Sequence, residues 1–358
     1  MKIDDKTSHN SPSIRFPEFT GEWEKCKIED ITDAVSSGKS KNHFSNGEYN
    51  LYGSTGIIGR TDKALYDGKL VLVARVGANA GFLQIINEPC GITDNTLILK
   101  PKGIDAFYLY YFLQHFNLNR LIFGSGQPLI TGGMLKKVKV SLGTISEQSK
   151  IVKFLSLLDE RIATQVRLIE DLKKLRCAVS NKLFQSVKGV VIPLSSISNI
   201  VKGKQINGDF LAEVGEYYVM NGGTEPSGYY DNYNVEANTI SISEGGNSCG
   251  YVQFNRMPFW SGGHCYTIQD IVSDVETLYL YHYLKSKEDS IMKLRIGTGL
   301  PNIQKKDLAE FKVIIPAIEQ QRTISNILSL LERKNEIEGQ LLIAMRTEKQ
   351  HLLRQMFI

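Results

Sequence analysis

The sequence predicts an α+β protein written twice: two similar, mostly-β globular domains with irregular loops, each followed by a long helix. The two helices are expected to pair antiparallel as a coiled-coil spacer, giving the chain a pseudo-twofold internal repeat. Three observations predict this: the two halves match when shifted by 173 residues, each half changes texture abruptly near its end, and apolar residues then recur at steps of three and four.

The repeat is visible in several blocks. Gly124-Ser125-Gly126-Gln127-Pro128-Leu129-Ile130 falls on Gly297-Thr298-Gly299-Leu300-Pro301-Asn302-Ile303, and Val140–Glu147 falls on Val313–Gln320. Phe154-Leu155-Ser156-Leu157-Leu158-Asp159 falls on Ile327-Leu328-Ser329-Leu330-Leu331-Glu332. Upstream, Tyr108–Leu113 meets Tyr279–Leu284 at a shift of 171, so about two residues are inserted or deleted between the blocks. Solenoid units run to roughly 20–50 residues. This period is the size of a domain, as expected of two duplicated modules, or of a molecule built to meet a two-part ligand.

The expected boundaries are a polar tail over 1–13, a first β-rich domain over 14–143 and a first long helix over 144–185. A second β-rich domain follows over 186–316, with a second long helix over 317–358. Within the β-rich parts, Leu70–Val73 and Thr96–Leu99 read as strands, and Phe107–Phe116 and Leu278–Leu284 as helices. Turn signals such as Asp67-Gly68, Asn207-Gly208 and Glu244-Gly245-Gly246 punctuate them.

In the first long helix Ile151, Leu155, Leu158, Ile162, Val166, Ile169, Leu172, Leu175, Val179 and Leu183 form one apolar seam. Some forty residues would span about 60 Å. The shifted seam in the second helix reads Leu328, Leu331, Asn335, Gly339, Leu342, Met345, Glu348, Leu352 and Met356. Its polar members either fix register or mark a place where the helix bends or rotates. Leu157, Leu168, Leu330 and Leu341 fall outside the seam, where they can meet partners or pack on the adjoining domain.

Composition excludes more than it selects. Lys plus Arg exceed Asp plus Glu by four (42 against 38), which permits a nucleic-acid partner without demanding one. Cys26, Cys90, Cys177, Cys249 and Cys265 are odd in number and scattered, which argues against a disulfide framework or a zinc site. No apolar run is long enough to cross a bilayer. The opening MKIDDKTSHNSPS lacks the apolar stretch of a signal peptide, so a cytoplasmic protein is expected.

Several strings in order point to a family. Arg15-Phe16-Pro17-Glu18-Phe19 with Gly21 and Trp23 opens the first domain, followed by Tyr52-Gly53-Ser54-Thr55-Gly56-Ile57-Ile58-Gly59. The Gly-Ser-Gly-Gln-Pro and Gly-Thr-Gly-Leu-Pro-Asn-Ile segments come late in each domain. Ile315-Pro316-Ala317-Ile318-Glu319-Gln320-Gln321-Arg322 leads into the second helix, mirrored by Leu142-Gly143-Thr144-Ile145-Ser146-Glu147-Gln148. Gly143 and Pro316 differ, but either can mark a boundary before a helix. With the duplication and the paired helices, the chain resembles the specificity subunits of type I restriction-modification enzymes over nearly its whole length.

The resemblance implies that each β-rich part is a target-recognition domain reading one half of a split site in double-stranded DNA. It implies two methyltransferase subunits bound to the helices and adjoining surfaces, methylating adenine at N6 with S-adenosylmethionine. Two ATP-dependent restriction subunits would complete the complex. S-adenosylmethionine, ATP and Mg2+ would belong to those partners, with no cofactor held by this chain.

Phosphate contacts favour Lys, Arg, hydroxyls and backbone N–H groups, and base reading favours Arg, Lys, Asn and Gln. Three pairs of loops carry such residues. The first pair holds Lys39, Lys41 and Asn42, matched by Lys202 and Lys204. The second holds Arg75 and Asn79 in Arg75–Gly81, matched by Asn247 in Gly245–Gly250; neither string is a dinucleotide or Walker glycine loop. The third holds Ser125 and Gln127, matched by Arg295 and Thr298, with Lys136, Lys137 and Lys305 just beyond. Each also reads as an ordinary solvated turn. Tyr217, Tyr218, Tyr229 and Tyr230 read first as core, with stacking on distorted DNA as the alternative.

No Asn/Asp-Pro-Pro-Tyr/Phe string of an adenine methyltransferase occurs, and none of the six histidines pairs at metal-ligand spacing. A non-catalytic subunit is therefore expected. Two alternatives stand beside it: a specificity subunit for a fused methyltransferase-nuclease, and a duplicated coiled-coil adaptor that binds proteins and not DNA.

Overall fold

The computed structural model describes residues 11–41, 47–122, 128–297, 299 and 301–358. They form two compact units, Met1–Val166 with Gln340–Ile358, and Arg167–Gly339. Two β-rich domains are thus joined by two long helices, and each unit holds one half of each helix.

In chain order the first unit contains β1 (Glu24–Lys27), β2 (Thr32–Ser37), β3 (Tyr49–Gly53), β4 (Gly56–Thr61), β5 (Lys69–Ala74), β6 (Leu83–Asn87), β7 (Cys90–Ile92) and β8 (Thr96–Pro101). Then come α1 (Ala106–Phe116), α2 (Gly132–Lys136), β9 (Lys139–Leu142) and the start of α3 (Ile145–Ser186). The second unit contains β10 (Val190–Pro193), β11 (Asn199–Lys202), β12 (Tyr217–Met220), β13 (Tyr229–Tyr230), β14 (Thr239–Ser243), β15 (Val252–Asn255), β16 (Trp260–Ser261) and β17 (Cys265–Gln269). It continues through α4 (Thr277–Ser286), α5 (Glu288–Met292), α6 (Lys305–Ala309), β18 (Lys312–Ile315) and the start of α7 (Ile318–Met356).

The duplication extends to strand order. A four-stranded sheet runs β2-β8-β5-β6 in one unit and β11-β17-β14-β15 in the other. Each is accompanied by a three-stranded sheet, β4-β3-β7 or β13-β12-β16, in which one pair is parallel. A short antiparallel pair, β1 with β9 or β10 with β18, closes each domain beside its long helix.

The continuous apolar run of β5 reflects burial on both faces. Val71 and Val73 pack with Leu97, Leu99 and the α1 side chains Tyr108, Leu109 and Phe112. The alternate residues Leu70 and Leu72 pack with Ile86, Cys90, Ile92 and Ile98. This is the period-two alternation of a strand with apolar layers on both sides. In β14 only Ile240 and Ile242 join the helix-side core. Ser241 on the other face is buried and accepts from Asn255 Nδ2 at 2.9 Å, so hydrogen bonding replaces part of the second apolar layer there.

Both long helices begin the same way. Gln148 Nε2 donates to Gly143 O at 2.9 Å, and Gln321 Nε2 to Pro316 O, also at 2.9 Å. Gly143 does more than mark a boundary: a Cβ there would collide with the carboxylate of Glu147, which folds back under it. Glu147 has no exposed side-chain area and accepts from Arg15 Nε at 2.6 Å and Nη2 at 2.8 Å. Those hydrogen bonds hold the guanidinium above its ordinary pKa.

Within each unit the helix halves run antiparallel. In the first, Leu155 is buried with Leu353 and Met356, whereas Ile162 shares a cleft with Leu341 and Met345. In the second, Phe184 is buried with Ile324 and Leu328, while Arg176 pairs with Glu332 at 3.3 Å. Lys349 pairs with Asp159 at 2.5 Å, each partner displaced by 173 residues from Arg176 and Glu332.

Those ion pairs correct the expected seam. Leu175 is 48 % exposed and Glu348, 173 residues later, is also exposed. At both places the inward position passes to the next residue, Arg176 or Lys349, as expected when a helix of 3.6 residues per turn drifts from a 3.5 repeat. Ile151, Leu155 and Leu328 are buried; Leu158, Ile162, Ile169, Leu172, Leu331, Leu342, Met345 and Leu352 are half-buried. Asn335 and Gly339 stay half-buried, and Asn335 Oδ1 has no hydrogen-bond partner among the described residues.

Acid should weaken the second unit. His282 is buried with Nε2 2.9 Å from Ser329 Oγ, and burial, with a smaller effect of Arg176, pushes its pKa down to about 4. The folded pKa lies below the unfolded value of roughly 6.5, so the stabilising contribution is present above that value and lost as pH falls from it towards 4. The loss reaches about 3 kcal/mol. Melting temperatures measured from pH 7.5 to 4.5 should fall in the wild type and fall less in His282→Asn. Burial lowers His115 as well, so a smaller acid dependence of the same sign should remain.

Candidate nucleic-acid interface

The clefts sit where the four-stranded sheet ends in loops. In the first unit Gly38 N donates to Thr96 O and Ser40 N to Ile92 O, both at 2.9 Å, which pins the backbone between Ser37 and Lys41 to the strands. Ser40 is buried, and its Oγ accepts from Ile92 N at 3.0 Å. Lys39 and Lys41 are exposed and line a cleft of about 220 Å³ with Thr61, Asp62 and Lys63. Sequence reading missed Lys63, which follows β4 and reaches this cleft only in the folded chain.

Gly203 repeats the arrangement, its N donating to Cys265 O at 2.8 Å, while Lys204 N donates to Ser261 O at 2.8 Å. A Cβ at Gly38 would strike the Ile92 carbonyl, and one at Gly203 the Gly262 carbonyl. Backbone cannot yield as a side-chain tip can, so Gly203→Ala should destabilise by about 3 kcal/mol. Thermal unfolding of the purified chain checks this; an unchanged midpoint would show that the loop is free to move.

The second loop pair joins the first. Arg75 is half-buried, with Nη1 3.4 Å from Ser37 Oγ and Nε enclosed without a hydrogen-bond partner among the described residues. Ile130 N donates to Arg75 O at 2.9 Å and Gly77 N to Pro128 O at 3.0 Å, so segments near residues 37, 75 and 130 meet at one edge. Asn79 is exposed on the same loop.

In the second unit the corresponding segments line a cleft of about 690 Å³ whose wall includes Lys202, Asn221, Glu244, Asn247, His264 and Asn302. Lys202 Nζ lies 2.6 Å from Glu244 Oε1. Lys204 is exposed, and its carbonyl accepts from Trp260 Nε1 at 2.9 Å. Arg295 is exposed and adjoins the Ile296–Asn302 bridge. Lys136 and Lys137 at the end of α2, and Lys305 at the start of α6, are exposed but line neither cleft. Asn42, Ser125, Gln127 and Thr298 lie outside the described residues.

The tyrosines divide. Tyr218 stacks on Phe259 with centroids 5.5 Å apart, as part of the small core beneath β12. Tyr217 packs against Tyr233, and Tyr230 edge-on against Trp260. Among the described residues no group of three or more His, Cys, Asp and Glu is placed to hold a metal ion. No helix of the described residues is long and apolar enough to cross a membrane.

Two β-rich units of matching strand order, each with the same convergence of loops at the end of its four-stranded sheet, define a duplicated binding protein. The model of the type I restriction modification DNA specificity domain matches residues 20–174 and again 187–345, and the chain belongs to that family. It is the DNA-specificity subunit of a type I restriction-modification complex, and the chain is non-catalytic. Such subunits associate with modification and restriction subunits and with DNA.

A type I specificity subunit of Mycoplasma genitalium is 25% identical over 359 residues, covering 94% of each chain. One from Mycoplasma pneumoniae is 31% identical over 166 residues, 46% of this chain and 44% of that protein. The crystal structure of a type I restriction-modification S subunit from M. genitalium shares the fold, with TM-score 0.72 and 23% identity over 97% of this chain and 99% of that one.

Proposed function

We propose that the chain reads a bipartite DNA site, one half in each cleft, with residues 14–143 and 186–316 as the two target-recognition domains. The observation that carries this reading is the recurrence of one loop convergence in both units: the segments after β2, after β5 and before α2 meet as do those after β11, after β14 and before α6. Lys39, Lys41, Lys63 and Lys204 would contact phosphates. Arg75, Asn79 and Asn247 would face base edges, and Arg295, Lys136, Lys137 and Lys305 would add long-range attraction.

The long helices would act as the spacer and bind two methyltransferase subunits, with Leu157, Leu168, Leu330 and Leu341 exposed for that contact. Those partners would methylate adenine at N6, and two ATP-dependent restriction subunits would cleave unmodified DNA in the cytoplasm. To test the assignment, residues 14–143 are exchanged for the equivalent domain of a relative with a known site, and the chimera is purified with its methyltransferase. One half-site should change while the other and the gap stay the same. Retention of both original half-sites would refute it.

A further inference from the structure

We propose that Arg75 and Glu244 occupy one and the same base-selecting position at the matching loop convergence of the two units, Arg75 taking guanine and Glu244 taking a base with a major-groove amino group, cytosine or adenine. The proposal rests on the DNA-reading function given above and names the chemistry of its two sites.

The backbone establishes the equivalence. Arg75 N donates to Asn95 O and Arg75 O accepts from Ile130 N; Glu244 N donates to His264 O and Glu244 O accepts from Ile303 N. Just before them, Ala74 exchanges hydrogen bonds with Phe82 and Gly81, as Ser243 does with Tyr251 and Gly250. Each faces the last residue of the matching edge strand, Ser37 of β2 or Lys202 of β11. The same site therefore holds a Ser–Arg pair in one copy and a Lys–Glu pair in the other.

The hydrogen-bonding character is inverted with it. A guanidinium can only donate, and its fork matches O6 and N7 of guanine. Only the long 3.4 Å contact to Ser37 engages Nη1, and Nε has no protein partner among the described residues. A carboxylate can only accept, which suits the N4 amine of cytosine or the N6 amine of adenine. Glu244 Oε1 already receives Lys202 Nζ at 2.6 Å and Tyr266 OH at 3.0 Å, which aim the group. Oε2 is enclosed without a hydrogen-bond partner among the described residues, and His264 Nδ1 stands 3.7 Å away. The His264 side chain is 63% exposed, so an entering base edge can displace it and reach Oε2.

The sign of the charge decides between rival uses. A phosphate would be repelled by Glu244, whereas an amine at a base edge satisfies the oxygen that lacks a donor. A carboxylate in the wall of a DNA-reading cleft is thus suited to selecting bases and unsuited to gripping the backbone.

The test exchanges the pairs. Lys202→Ser with Glu244→Arg installs the first unit's chemistry in the second, and Ser37→Lys with Arg75→Glu does the reverse. Each variant is expressed with the partner methyltransferase, and its N6-methyladenine motif is compared with that of the wild-type chain. The first exchange should turn one C or A of one half-site into G. The second should turn one G of the other half-site into C or A, with the spacing unchanged.

A motif identical to the wild type's, a change in both half-sites, or weaker methylation of the unaltered motif would overturn the proposal. If an exchanged complex does not assemble, the wild-type complex decides by competition with duplexes. In these, each cytosine or adenine of the second unit's half-site, the methylated adenine excepted, is replaced in turn by an analogue without its exocyclic amine. One position should lose roughly tenfold to hundredfold in affinity; none doing so overturns the Glu244 assignment. A wild-type chain that directs no motif would instead refute the DNA-reading function itself.

Discussion

Replacing Arg15 by alanine is expected to lower the melting temperature of the first unit by about 10 °C. The reason is the partner left behind. Glu147 has no exposed side-chain area, and its carboxylate is held by Arg15 Nε at 2.6 Å and Nη2 at 2.8 Å. Trp23 and Ile151 are buried near the start of α3, and the Arg15 side chain itself is only 15% exposed. Removing one member of a buried pair costs about 3–5 kcal/mol, because the remaining charge stays desolvated. Arg15→Ala with Glu147→Leu should recover most of the loss, since the double replacement removes both charges. Equal melting points for wild type and Arg15→Ala would show that the pair is solvated in solution.

The second large effect concerns affinity. Lys39, Lys41 and Lys63 surround one cleft, and replacing all three by alanine should weaken DNA binding by the assembled methyltransferase complex roughly a hundredfold near 0.15 M salt. If each cation neutralises one phosphate, the slope of log K against log salt should become shallower by about 2.7, at roughly 0.9 per phosphate. The recognised sequence should stay the same, because phosphate contacts position without selecting bases. An unchanged salt slope would remove the three lysines from the interface.

The parts of the molecule set by periodicity were legible before any coordinates. The 173-residue repeat foreshadowed two units of identical strand order, and the run around Leu155 foreshadowed α3. The helix signal lies in local spacing, which a single sequence carries in full. The seam was less legible: Leu175 and Glu348 turn outward because inward-facing Arg176 and Lys349 find carboxylates across the helix pair, a non-local preference.

The candidate site was legible by chemical type only. Cations and amides alone point to Lys39, Lys202 and Arg75, whereas Glu244 reads in the sequence as part of a turn. Its equivalence to Arg75 rests on hydrogen bonds to residues some 20 and 60 positions away. The one available signal was its place at the end of the strand that matches β5, and charge sign led away from it. Lys63 was missed for a similar reason, since it joins the cleft of Lys39 only once the chain is folded.

The most direct test of the central claim is a genome-wide map of N6-methyladenine in cells expressing the partner methyltransferase, with and without this chain. The account predicts a new motif of two short half-sites at fixed separation, seen only when the chain is present. An assembled, active methyltransferase complex that modifies the same sites with or without the chain would contradict it.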